Sequence, residues 1–173
     1  MPTIGTNDIA FFLSGGTGNS NPNLSLGGSP SNTPVSGVLN SLFSDVTSEQ
    51  ASNGLVDYRC FYVYNESETA YLYNATAYIQ SQTNSGSTVQ IGVSVNPIDT
   101  VAPLIPTENT PPTGVYFFDS GPSNKITLGT LGPGQKVPVW LKRTTPAGTD
   151  FKESDSFVLK ISGKPFLNSS SSS

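Results

Sequence analysis

The sequence predicts an all-β chain built as an antiparallel sandwich with an extended N-terminal arm, and three observations predict it. From residue 55 onward, apolar and polar residues alternate with period two in one segment after another, and no run with helical spacing exceeds about ten residues. Turn-forming residues separate these segments at short intervals. Charged residues make up only 12% of the 173, against roughly 25% in an ordinary globular chain, while glycine and proline are abundant with 17 and 14 copies. Short strands joined by turns suit that mixture, and the length suits one domain with appendages.

The arm spans residues 1–54. Its start, "NDIAFFLSGGTGNSNPNLSLGGSPSNTP", sets a few apolar residues among glycine, serine, asparagine and proline. Ile9, Phe11, Phe12 and Leu13 would each gain about 1.5–3 kcal/mol on burial, yet the residues after them can form no core of their own. With Leu24 and Leu26 they are the expected partner-binding anchors, covered by a neighbouring molecule. Further on, "GVLNSLFSDVTSEQA" places Leu39, Leu42, Phe43 and Val46 at helical spacing, a short helix with one apolar face.

The body spans residues 55–164 and holds seven expected strands. "LVDYRCFYVY" puts Val56, Tyr58, Cys60, Tyr62 and Tyr64 on one face and Asp57, Arg59, Phe61 and Val63 on the other. "NESET" supplies a turn, and "AYLYNATAYIQ" returns with Tyr71, Tyr73, Ala75, Ala77 and Ile79 sharing a face. "TVQIGVSV" alternates, with Val89, Ile91, Val93 and Val95 expected in the core. After a proline-rich connection come "VYFF" at 115–118, "KITLGTL" at 125–131, "KVPVWLKR" at 136–143 and "DSFVLKIS" at 155–162. Seven short strands with turns between them point to two packed sheets. Leu131, Pro133 and Gly134 resemble the "L-x-PG" corner of immunoglobulin-like sandwiches, so an immunoglobulin-like or jelly-roll-type topology is expected, with no implication for function. The tail at 165–173, ending in a serine run, is low-complexity.

Composition removes several kinds of chemistry. There is no histidine, which excludes His-based acid–base catalysis, Ser-His-Asp and Cys-His triads, and ordinary zinc sites. The twelve acids leave a carboxylate-pair glycosidase conceivable, but none lies in an aromatic cleft motif, and they read as solvated surface charges. "GTLGPGQK" has the glycine separation of a phosphate loop. Gln135, however, stands where lysine is required, Lys136 is not followed by Ser or Thr, and a strand follows in place of a helix. Asp150, Glu153 and Asp155 gather oxygen ligands without the spacing of a calcium loop and read as a solvated loop. No catalytic residue, metal or cofactor is therefore expected.

Partners can be narrowed as well. The net charge is −4 and the eight Lys and Arg are scattered, so nucleic acid is not an expected partner. No run approaches the ~20 apolar residues of a membrane span, and "MPTIGTNDIAFFLSGG" does not read as a signal peptide. The lone Cys60 reads as a small core residue in a chain made in a reducing cytoplasm. Asn23, Asn65, Asn74 and Asn168 open glycosylation sequons that are idle outside a secretory route. Trp140 and the tyrosines of 58–78 offer flat faces to sugars, though strand alternation favours packing for most of them.

With those residues laid out, "FFLSGG" with "NPNLSLGG", then "LNSLFSDVTSEQASNGLVDYRCFYVYN", "VQIGV" and "LGPGQKVPVWLKRTTPAGT" resemble a family of small virion structural proteins of tailed bacteriophages and prophages. The resemblance implies a non-enzymatic, multicopy particle component located in the virion: a decoration or cement protein that binds the capsid shell through its arm. Its implied partners are the major capsid protein, neighbouring copies of itself, or both. Alternatives are a neck, tail or baseplate component and, from another class, a carbohydrate-binding host-attachment module.

Overall fold

A computed structural model describes residues 4–5, 8–35, 42–43, 46–82, 87–148 and 157–164 of the chain. Its strands are β1 (Ile9–Ser14), β2 (Pro30–Pro34), β3 (Leu55–Asn65), β4 (Leu72–Gln82), β5 (Thr88–Ser94), β6 (Val115–Phe118), β7 (Ile126–Leu131), β8 (Lys136–Thr145) and β9 (Phe157–Lys164). They form a six-stranded sheet in the order β2-β1-β3-β8-β5-β6 and a three-stranded sheet in the order β7-β4-β9, antiparallel throughout. The all-β class and the two-sheet arrangement stand as expected, and all seven body strands are present.

Between the sheets lies the main core. β3 contributes Phe61 and Val63, β5 contributes Val89, Ile91 and Val93, and β8 contributes Val137, Val139 and Leu141. The smaller sheet answers with Leu72, Ala75, Ala77, Ile79, Leu128 and Leu131. Val95, expected to continue the β5 face, lies beyond the strand end and is exposed. In β4 the shared face breaks at Asn74, which takes φ +50° within a register shift, so Leu72 and Ala75 both reach the core while Tyr71 is turned outward.

The turn after β3 is a corner between sheets, so β4 returns in the opposite sheet and does not pair with β3. Asn65, fully buried, holds that corner: its Nδ2 donates to Ala70 O (2.8 Å) and Leu131 O (3.0 Å), and its Oδ1 accepts from Ser67 N (3.0 Å). The Pro133-Gly134 corner between β7 and β8 docks on the same residue, with Gly134 N donating to Asn65 O (2.9 Å).

The division into arm and body needs correction. Residues 1–54 contribute β1 and β2, which extend the large sheet beyond β3, with Ile9, Ala10, Phe11, Phe12 and Leu13 in register with Asn65, Tyr64, Val63, Tyr62 and Phe61. β3 is long and mostly apolar, and the main chain of the N-terminal segment satisfies open N–H and C=O groups along its edge. Of the helix expected over 37–51, much lies outside the described residues; Leu42, Phe43, Val46 and Thr47 are not helical, and a capping box of Thr47 and Gln50 starts α1 (Ser48–Asn53). Leu42 and Phe43 lie before it, buried against the main core. Leu39, the acidic cluster Asp150, Glu153 and Asp155, and the tail at 165–173 lie outside the described residues.

Candidate functional site

Strand β3 is buried on both faces, which makes the outer face of the large sheet the part of the molecule most in need of explanation. Tyr58, Cys60 and Tyr62 on that face form a second cluster with Trp140, Ala102 and Ile105. Two loop segments cover them: residues 22–28, which include a 3-10 turn Pro22–Leu24, and residues 96–114. β1 runs beside β3 only as far as Phe61. Beyond that point these segments take over the edge, with Cys60 N donating to Ser25 O (2.8 Å) and Tyr58 N to Glu108 O (2.8 Å).

The covering layer is tied down at several points. Ser14 Oγ donates to Cys60 O (2.8 Å) and accepts from Gly27 N (3.1 Å). The Tyr62 hydroxyl donates to Gly28 O (2.5 Å) and accepts from Ala102 N (2.9 Å), stitching both segments to the sheet. Gly28 N donates to Ala102 O (3.2 Å) and Ile105 N to Leu26 O (2.9 Å). Gly27 is required at the crossing: it has φ +94°, and a Cβ there would lie 1.8 Å from Pro103 O.

Outward, this layer sets exposed aliphatic side chains among polar ones such as Asn23, Asp99, Thr107 and Asn109. Ala102 and Ile105 point into the cluster, while Val101 and Leu104 between and beside them are 63% and 72% exposed. Sequence reading passed over this ridge as a proline-rich connection. The signal it left is the alternation in "VAPLIP", where inward and outward apolar residues interleave.

The expected anchors are divided among three environments. Ile9, Phe11 and Leu13 face the main core, Phe11 meeting the Phe61 ring at 6.1 Å. Phe12 lies on the other face, edge-on to Tyr64 with centroids 5.4 Å apart. Leu26 is partly buried against the outer cluster, and Leu24 is 57% exposed. The chain itself thus covers most of the surface expected to need a neighbour.

Charged groups are concentrated at the end of the sandwich where β3 begins. Arg143 Nε and Nη2 donate to Asp57 Oδ1 (2.9 Å) and Oδ2 (2.6 Å). Arg59 donates to Leu42 O (3.1 Å), Tyr58 O (3.0 Å), Asn23 Oδ1 (3.2 Å) and Glu108 Oε2 (2.7 Å). The Phe43 ring lies 4.6 Å from the Arg143 guanidinium and 5.4 Å from that of Arg59. Burial pushes the Asp57 carboxyl up from its ordinary value, against the opposing pull of Arg143. Each buried charge among the described residues has an opposite partner, and the network locks the 22–25, 42–43 and 108–109 segments onto β3. Sequence reading placed Asp57 and Arg59 on one strand face but missed the network, whose other members come from distant segments.

The remaining chemical candidates are occupied by packing. Cys60 is fully buried, and burial pushes its thiol up. Burial likewise pushes the Tyr62 hydroxyl up to about 12, against the bond from Ala102 N. Trp140, Tyr58, Tyr62 and Tyr78 are buried and offer no open ring to a sugar; Tyr71 and Tyr73 stack on each other at 5.5 Å. Among the described residues no cluster of three or more His, Cys, Asp or Glu is placed to hold a metal, and no helix is long and apolar enough to cross a membrane. No protein-family model, curated protein or solved structure matches this chain.

Proposed function

We propose that this chain is a non-enzymatic structural protein of a tailed-bacteriophage particle, a decoration or cement protein that binds the capsid shell. The observation that carries the reading is the Val101–Leu104 ridge: two exposed aliphatic side chains held outward by a backbone that is hydrogen-bonded to the sheet on either side. A ridge ordered before binding loses little conformational entropy on docking, so even a small apolar contact contributes net affinity. Repetition over a symmetric shell then multiplies it. The family resemblance of the opening motifs and of "YRCFYVYN" supports the same reading. The mode of attachment differs from a free arm, since β1 is already paired within the chain.

Cryo-electron microscopy of particles carrying the chain tests this directly, because shell, neck, tail and baseplate positions have different symmetries. Density on the shell with residues 101–104 against the capsid protein is the expected result. Leu104→Asp should leave the purified protein folded and abolish its incorporation. Density confined to the tail or baseplate, or full incorporation of the variant, would overturn the proposal.

A further inference from the structure

The edges of the two sheets are not equally protected. An edge strand exposes unpaired N–H and C=O groups that invite another chain, and proteins blunt such edges with proline, charge, bulges or covering segments. β2 reads PSNTP, with proline at both ends. β7 carries Gly129 at φ +118° beside a register shift, with Ile98 against it. β9 bears Lys160 and Lys164, and its pairing is also broken by register shifts. Among the described residues β6 has none of these devices. It reads VYFF, pairs with β5 without a shift, and among the described residues has no strand on its far side. Val115 and Phe117 pack on the outer cluster, whereas Tyr116 and Phe118 are 57% and 49% exposed.

We infer that β6 is the contact through which two copies of this chain pair, edge to edge and antiparallel, about a twofold axis normal to the sheet. A second copy fits because the strand complements itself. Such an axis keeps each face on its own side, and centred on Phe117 it sets Tyr116 of each copy across from Phe118 of the other. Two aromatic cross-strand pairs form where each copy alone has exposed rings. The charge nearest the contact, Asp119 just past the strand, falls across from Val115 of the second copy, so like charges do not meet. The contact is short, well below the ~800 Å² per partner of a standard interface. Pairing is therefore weak in free solution and becomes firm where an assembly holds copies at about millimolar local concentration.

Sedimentation velocity of the full chain, from about 10 μM to about 1 mM in roughly 0.5 M salt, tests the inference, the salt screening the repulsion between copies of charge −4. Reversible monomer–dimer exchange is expected, weakened about tenfold or more in Tyr116→Lys/Phe118→Lys because both aromatic cross-strand pairs are lost, an effect that salt does not screen. Leu104→Asp, which probes the capsid reading, should leave the dimer unchanged, so either proposal can fail alone. A wild-type chain that stays monomeric throughout, a dimer indifferent to the Lys pair, or association that grows past the dimer would overturn the inference. Should the Lys variant fold poorly, hydrogen exchange on the wild type decides: amides of 115–118 should gain protection with concentration, and unchanged protection would refute the contact.

Discussion

Leu13→Ala separates an integral first strand from a loose arm. Leu13 is 1% exposed and packs in the main core on β1, opposite Phe61 of β3. At about 0.8 kcal/mol per methylene, deleting the side chain beyond Cβ forfeits about 2.4 kcal/mol of transfer free energy, and the cavity left behind adds to it. β1 has only the short β2 outside it, so it can settle partly into the gap, and a total near 3 kcal/mol is expected. For a chain of this length that corresponds to a fall in Tm of roughly 6–12 °C. Urea titration and thermal melting followed by circular dichroism measure both, with Leu24→Ala, 57% exposed in the same segment, expected to change stability by less than about 0.5 kcal/mol. If the two variants cost the same small amount, β1 is not part of the folded body in solution. The extended arm expected from sequence would then be the better description.

Two further outcomes follow from the buried polar groups. Asp57→Ala should cost about 3 kcal/mol by urea titration, because it leaves the largely buried Arg143 guanidinium without its carboxylate, and an unchanged midpoint would show the pair to be dispensable. Burial pushes the Tyr62 hydroxyl up from 10.0 to about 12 in the folded chain, so the unfolded chain releases that proton first. Its contribution is complete below pH 10 and is lost as pH rises toward 12. Stability measured across that window should fall more steeply in the wild type than in Tyr62→Phe, and equal slopes would refute the assignment.

The seven body strands were legible in the sequence because period-two alternation with β-branched and aromatic residues is a local property, read without knowing the partner strand. The core-facing choice of Val89, Ile91 and Val93 was legible for the same reason. Alternation failed where geometry intervened: Asn74 at φ +50° inserts a bulge that no pattern announces, and the shared face of β4 breaks there.

By itself the sequence determined the class of fold, the absence of histidine chemistry and the burial of Cys60, all of which depend on composition and local pattern. Tertiary structure alone decided which surfaces are covered. β3 carries apolar residues on both faces and a free edge, so "IAFFLS" finds its partner within the chain and the anchors become core. Asp57 meets Arg143, 86 positions away, and the proline-rich connection folds over Tyr62 to leave Val101 and Leu104 outside. The physical reason is common to these cases: exposure and pairing are settled by which distant segment satisfies an open backbone edge or a buried charge, and that depends on closure of the whole fold.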